Sequence, residues 1–382
     1  MNLSTFDPAA FLREHWQKKP ALIRNPWTSW NNPLDPNSLA GLACEDGVES
    51  RLVMEAGTSW AVEHGPFAED RFATLGERGW TLLVQAVDHW VPEVAELRGL
   101  FRFIPDWRID DVMVSYAADG GGVGPHFDGY DVFLIQGLGR RRWQIGARCD
   151  SSTPLLAHDE LRLLADFEPE QEWVLEPGDI LYVPPGVAHN GVAVGGDCMT
   201  YSIGFRAPSA ADLISGWSGY VLERIDDDIR YADPDLRSQP NPGEICAETI
   251  ERLQAMMASQ LLDREAFARW FGEYSTSSKY GEIDFRREVP LDLEQLHELA
   301  ATDVPLRRDP ASRFSFVELA EGVILFVNGH SIECGADTAE LARQLCAQES
   351  FIIDPAVANR QAAAELLLKL VNGGSLDFDQ AD

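Results

Sequence analysis

Three residues of this chain have the types and spacing of a metal site. His126 and Asp128 stand two apart in Pro125-His-Phe-Asp-Gly129, and His189 closes the run Pro184-Pro-Gly-Val-Ala-His189. Side chains at i and i+2 of a strand share a face, so a strand through His126 would turn both ligands inward and Phe127 outward. Two imidazole nitrogens and one carboxylate oxygen, with adjacent positions left open, form the facial triad of non-haem Fe(II) oxygenases. A His-x-Asp pair alone is common. The turn Glu176-Pro-Gly-Asp179, the strand-like Ile180-Leu-Tyr-Val183 and the proline-stiffened approach to His189 make the combination far more specific.

An oxygenase of this kind also holds a keto-dicarboxylate, whose far carboxylate calls for a guanidinium fork. Arg140-Arg-Arg142 lies on a strand-like segment after Gly137-Leu-Gly139. Alternation places Arg141 on one face and its two neighbours on the other, without saying which face is inside.

The elements that must position these groups can be read from periodicity. Residues 7–19 predict a helix capped by Asp7, Ala21–Arg24 a strand, and Trp80–Val91 a helix with Leu82, Leu83, Ala86 and Val87 on its apolar face. From Ile109 the texture is β: Ile109–Tyr116, Tyr130–Gln136, Arg141–Ile145, Glu172–Leu175, Ile180–Val183 and Met199–Phe205, bounded by Gly and Pro turns. Many short strands at this spacing predict a barrel or sandwich. Gly120-Gly-Gly-Val-Gly-Pro125 predicts a tight loop into a His126 strand. Ser209–Ile225 and Glu244–Phe271 read as amphipathic helices. After Pro290 come shorter elements: Leu291–Ala301, Arg313–Leu319, Val323–Val327, Ala339–Cys346 and Ala362–Asn372.

Composition bounds the rest. A chain of 382 residues predicts two or three domains, each able to bury a core. Acidic residues number 62 against 31 basic ones, a net charge of −31, and Lys18, Lys19, Lys279 and Lys369 are the only lysines. That field repels nucleic acid and steers basic partners inward; it also suits a protein of a salt-adapted organism. The 6 cysteines form no Cys-x-x-Cys pair, which argues against a zinc site or a disulfide framework. With no signal-like start and no long apolar run, a soluble cytoplasmic protein without membrane contact is expected.

Phe11-Leu-Arg-Glu-His-Trp-Gln-Lys-Lys-Pro20, Asp106-Trp-Arg-Ile-Asp-Asp111, Gly120-Gly-Gly-Val-Gly-Pro-His126, Tyr130-Asp-Val-Phe133, Gly139-Arg-Arg-Arg-Trp143 and Tyr182-Val-Pro-Pro-Gly186 make the chain similar to the bacterial ribosomal oxygenases. These are JmjC-type, cupin-superfamily enzymes that hydroxylate an arginine of large-subunit ribosomal protein L sixteen. The resemblance is dense over residues 7–206 and weakest after residue 275.

The resemblance implies an α+β chain in three parts: a double-stranded β-helix (JmjC/cupin jelly roll) over 1–207, a helical dimerisation region over 208–278 and a winged-helix-like domain over 279–382. It implies Fe(II) at His126, Asp128 and His189, 2-oxoglutarate at Arg141 and Ser115, and dioxygen as second co-substrate. Asp111, Met113, Tyr130 and Ser202 match the residues that hold the target arginine, which would be hydroxylated at its β-carbon while 2-oxoglutarate becomes succinate and CO2. Thr200 departs from the pattern, standing where a larger amide is expected. A homodimer is implied. The helices Ala339–Cys346 and Ala362–Asn372 carry too little positive charge to contact phosphates, so no direct nucleic-acid binding is expected of the winged-helix-like part. Two other readings stay open: a 2-oxoglutarate oxygenase for another protein residue or a small molecule, and a non-catalytic cupin that binds a partner in ribosome assembly.

Overall fold

The computed structural model describes residues 2–57, 59–226, 228–280 and 286–379. The chain divides into two compact units, one holding the chain up to Ala207 with Arg308–Ser312, the other most of the remaining residues.

The first unit is a pair of antiparallel sheets. Its strands are β1 (Ala21–Ile23), β2 (Ser50–Ala56), β3 (Ser59–His64), β4 (Trp80–Val84), β5 (Ile109–Ala117), β6 (Val132–Leu138), β7 (Arg141–Arg148), β8 (Gln171–Leu175), β9 (Ile180–Val183), β10 (Val187–Ala193) and β11 (Cys198–Phe205). The large sheet runs β1-β9-β6-β11-β5-β4-β2-β3 and the small one β10-β7-β8. Two facing antiparallel sheets with crossing connections make a jelly roll, whose interior opens at one end.

Trp80–Val91 is not a helix. Trp80–Val84 is a strand between β2 and β5, followed by a single 3-10 turn at Val87–His89. Leu82, Leu83 and Val84 are all buried, and a short apolar run covered on both faces looks alike in either conformation. The β2–β3 hairpin and β10 join the strands expected from the sequence. Arg141–Ile145 extends to Arg148, and Tyr130–Gln136 shifts to Val132–Leu138.

The N-terminal helix Pro8–Glu14 is capped by Asp7, whose carboxylate accepts from Ala9 and Ala10 N–H. It ends early, with Gln17 at φ 57, and packs Phe11 edge-on against Tyr182 with ring centroids 4.9 Å apart. Beneath it lies a buried polar knot. Asp131 is fully buried and accepts from Tyr182 Oη at 2.6 Å, Arg108 Nη2 at 3.0 Å and Gln17 Nε2 at 3.0 Å. Its neighbours in sequence, Asp128 and Tyr130, carry candidate chemistry, so the knot fixes one end of the backbone that bears them.

The second unit opens with Ala210–Leu222, Ala247–Leu261 and Arg264–Thr276. The single helix expected over Glu244–Phe271 is two, because Asp263 leaves helical geometry and accepts from Glu265 and Ala266 N–H at 3.0 Å, starting a new helix. Leu293–Ala300, Ala339–Ala347 and Gln361–Asn372 then pack with the meander Phe314–Glu318, Val323–Val327 and His330–Cys334 around one apolar core. No helix among the described residues is long and apolar enough to cross a membrane.

Truncating one partner of a buried, hydrogen-bonded ion pair leaves the other charge uncompensated. Asp131→Ala should therefore destabilise the first unit by about 3–5 kcal/mol in denaturant unfolding. A loss under about 1 kcal/mol would show that the knot does not hold the helix to the barrel.

Candidate active site

His126 and Asp128 do not sit in a strand. The segment is extended and makes one isolated bridge, His126 to His189, in which each backbone N–H donates to the other's carbonyl at 3.0 and 2.8 Å. Gly186 N–H adds a bond to the Asp128 carbonyl at 2.7 Å. Phe127 lines the interior cavity rather than packing outward, since a segment without a ladder need not alternate.

The glycine loop is what lets this segment lie so deep. At Gly124, with φ +78, a Cβ would stand 2.6 Å from Leu163 Cδ2; at Gly122 it would stand 2.6 Å from the Gly191 carbonyl oxygen. At Gly122 the obstacle is backbone, and at Gly124 the left-handed φ strains any side chain.

The three candidate ligands converge. His126, Asp128 and His189 each offer a ligand atom, all within 4.8 Å of one another. Asp128 Oδ2 is 3.6 Å from His189 Nε2 and 4.0 Å from His126 Nε2. Ligands about 2.1 Å from one ion stand on the order of 3–4 Å apart, so the donor set fits a single metal. The tautomers are set too. His126 Nδ1 lies 2.9 Å from the Gly124 carbonyl and His189 Nδ1 3.0 Å from the Val187 carbonyl. Each Nδ1 carries the proton and donates, which leaves Nε2 as a lone pair facing Asp128. Burial, reinforced by the neighbouring His126, pushes the His189 imidazole down to about 4, so it is neutral at physiological pH.

Arg141 answers the parity question: it is buried on β7, while Arg140 and Arg142 are exposed. It reaches from the small sheet to the large one, donating from Nη1 to Ser115 Oγ on β5 and Thr200 Oγ1 on β11, both at 3.2 Å. Its Nη2 is 3.4 Å from the Gly191 carbonyl and its guanidinium lies 5.3 Å from the Trp143 ring centroid. Burial alone lowers its affinity for the proton. Among the described residues, Arg141 Nε and the buried Trp143 Nε1 have no acceptor. A buried cation and two unmet donors beside the metal ligands are the environment that the far carboxylate of a keto-dicarboxylate would complete.

The cavity measures about 310 Å³ and is lined by Met113, Ser115, Tyr130, Arg141, Ser202 and the triad, among others. Met113 and Ser202 are register partners across β5 and β11. Tyr130 is 44 % exposed, yet its phenol is raised well above the ordinary range by burial of the hydroxyl and by the carboxylates of Asp128, Asp111 and Asp110. Asp111 is placed differently from the others. It is buried, does not line the cavity, and both its oxygens accept from Gln85 Nε2 at 2.9 Å.

Several lining residues escaped the sequence reading: Arg51 and Val53 of β2, and Glu160, Leu161, Arg162 and Leu163 of an irregular segment crossing the opening. That segment is held by Leu156 N–H to the Leu163 carbonyl and Leu164 N–H to the Pro125 carbonyl, both 2.8 Å, and by a hydrogen bond between His64 Nε2 and the Glu160 carboxylate. Nothing local marks it; only its tertiary neighbours do.

A jelly roll with a two-histidine, one-carboxylate cluster and a buried arginine facing it is the arrangement of a non-haem Fe(II) oxygenase, and the JmjC class of proteins is built this way. The JmjC domain matches residues 96–213, a ROXA-like winged helix matches 255–377, and an AraC-like ligand binding domain matches 169–270. The chain is 44 % identical over 280 residues to the ribosomal protein uL16 3-hydroxylase of Escherichia coli (strain K12), covering 73 % of this chain and 74 % of that one. It is 40 % identical over 277 residues to a probable ribosomal oxygenase of Haemophilus influenzae, covering 71 % and 68 %. A solved structure of YcfD, a ribosomal oxygenase from Escherichia coli in complex with cobalt and 2-oxoglutarate, superposes with TM-score 0.88 at 36 % identity over 100 % of both chains. The chain belongs to the ribosomal oxygenase family.

Two substitutions separate the metal from the co-substrate. Asp128→Ala should abolish turnover and weaken metal binding by about tenfold or more in calorimetry, and full activity would remove the triad from the chemistry. Arg141→Met should raise the KM for 2-oxoglutarate by about tenfold or more while metal binding persists. An unchanged KM would remove Arg141 from co-substrate binding.

Proposed function

We propose that this protein is an Fe(II)- and 2-oxoglutarate-dependent oxygenase that hydroxylates the β-carbon of an arginine in ribosomal protein uL16. The observation that carries the reading is the buried Arg141, held without a carboxylate partner among the described residues, beside His126, Asp128 and His189. The Escherichia coli relative, a ribosomal protein uL16 3-hydroxylase, supports the substrate.

In this reading His126 Nε2, Asp128 Oδ2 and His189 Nε2 hold the iron. Iron with 2-oxoglutarate and dioxygen supplies the oxidising power that turns C–H into C–OH, with succinate and CO2 as the other products. The chain's own residues bind and orient. Arg141, with the Ser115 and Thr200 hydroxyls, takes the far carboxylate, and Thr200 replaces a longer amide with a hydroxyl that already bonds Arg141. Tyr130, Met113 and Ser202 shape the pocket for the target side chain, while Asp111 acts from behind through its charge. Held in this way, the target carbon is delivered beside the metal and water is excluded.

The division into a catalytic domain (1–207), a helical dimerisation region (208–278) and a winged-helix-like domain (279–382) belongs to the same reading, as do a cytoplasmic setting and a homodimer. Ile214, Leu222, Ile250 and Met257 expose apolar side chains on the helices Ala210–Leu222 and Ala247–Leu261, which supports their burial against a second copy.

Incubation with uL16, Fe(II) and 2-oxoglutarate should add one oxygen atom to an arginine, located by tandem mass spectrometry, with stoichiometric succinate. Succinate formation without a modified arginine would move the substrate to another protein residue or a small molecule. Light scattering should give twice the chain mass, and a monomer at micromolar concentration would remove the dimer.

A further inference from the structure

Charge inside the cavity is divided by position. Asp128 and Tyr130 line one wall, where the charges of Asp128 and of Asp111 and Asp110 on β5 act on the Tyr130 phenol. On the β2 side the cavity is lined by Arg51, and Arg162 enters from the irregular segment across the opening.

Arg51, Leu83, Ser115 and Thr200 are successive register partners across β2, β4, β5 and β11. Partners in an antiparallel ladder project to the same face, so Arg51 points into the interior that holds the Ser115 and Thr200 hydroxyls. Two strand spacings, roughly 10 Å, separate its backbone from that of Ser115, which sets it outside the hydroxyl pair that Arg141 touches. Leu163, next to Arg162, is held over the opening by its contacts with the 122–125 loop.

Among the described residues neither the Arg51 nor the Arg162 guanidinium has a hydrogen-bond or ion-pair partner. Scarcity of carboxylates is not the reason, since the chain has 62 acidic residues to 31 basic ones. Arg71 is gripped by Glu63 of β3 through two bonds of 2.8 and 2.9 Å, and Arg78 pairs with Asp119 at 2.9 Å. Glu160 lines the same cavity yet turns to His64. Two guanidiniums that line one cavity and have no partner among the described residues are donors available to an oxygen-bearing guest.

We propose that Arg51 and Arg162 are positioning residues for the polypeptide substrate, gripping oxygen acceptors on the residues that flank the target. Those acceptors are backbone carbonyls or an acidic side chain. The target's own cation goes to the Tyr130 and Asp111 side, so the cavity reads a chain by polarity: cation to one wall, acceptors to the other. This assignment rests on the reading of a polypeptide arginine as the guest and adds what fixes its direction of entry.

Steady-state kinetics of the full iron-loaded chain on uL16 tests it. The double variant Arg51→Met, Arg162→Met should raise the polypeptide KM by about tenfold, with a smaller change in kcat and the 2-oxoglutarate KM held within about twofold. Arg51→Lys, with Arg162 intact, should fall between wild type and Arg51→Met, because it keeps the charge and loses the fork. Replacing acidic residues near the target by their amides distinguishes the acceptors: a KM difference that vanishes identifies a carboxylate, and one that persists identifies carbonyls. An unchanged polypeptide KM in the double variant overturns the proposal, as does a 2-oxoglutarate KM that rises with it, which would assign the pair to the co-substrate. Wild-type protein that turns over no uL16 sinks the functional reading and this inference together, whereas wild-type turnover with unaltered KM in the double variant sinks this inference alone.

Discussion

Burying the Arg141 guanidinium without a carboxylate is the constraint around which the first unit is organised. An unpaired cation in a low-dielectric interior is unfavourable by several kcal/mol unless hydrogen bonds and a bound anion offset it. The fold supplies only partial relief: two hydroxyls from the large sheet, one carbonyl and the face of Trp143. Each comes from a different strand, so the register of β5, β7, β10 and β11 has to be correct together for the charge to be tolerated. What remains unmet is the affinity for a carboxylate. Stability left incomplete in the free protein becomes binding energy for the guest.

Two of the candidate metal ligands, His126 and Asp128, are held by a different device, backbone pinning. His126 and His189 are joined through paired backbone bonds, Asp128 is tied by Gly186, and the segment between β5 and β6 ends in the Asp131 knot. No ladder is present there, so the geometry depends on a few specific bonds and on glycines that admit close approach. This leaves the backbone of His126 and Asp128 independent of sheet register, whereas His189 sits on β10 opposite Ile145 of β7. Register therefore governs the co-substrate cradle and one candidate metal ligand, His189 of β10, while pinning governs the other two.

Sequence showed the chemistry of the site more clearly than its surroundings. His126, Asp128 and His189 were legible because the His-x-Asp pair is followed by a turn, a strand and a proline-stiffened approach to a second histidine, and Arg141 because alternation separates it from Arg140 and Arg142. Which face was inside was not legible, since that depends on β7 packing against β5 and β11 far away in the chain. The strand Trp80–Val84 read as a helix because its run is apolar on both sides, and the break before Asp263 was hidden inside one continuous amphipathic pattern. Asp111 has the right charge and the right strand face, yet Gln85, brought alongside by β4, takes its oxygens. The segment at 155–164 has no periodicity to read. Arg51 lies on a hairpin whose place beside the cavity is decided by β4 pairing on both its edges.

A protein with net charge −31 that accepts a dianion faces an apparent contradiction. Distance and dielectric resolve it. Carboxylates spread over the surface act through water and are screened within about 8–10 Å at physiological salt. Inside the cavity two unit charges 4 Å apart interact by about 4 kcal/mol at an effective dielectric of 20, against about 1 kcal/mol in bulk water. Arg141 therefore outweighs many distant acids for any ligand that has passed the opening, while the outer field still discourages polyanions too large to enter. A basic polypeptide meets the reverse order, drawn by the surface first and sorted by the cavity afterwards. The same excess of acid thus favours the macromolecular guest without excluding the small one, because each feels a different part of the field.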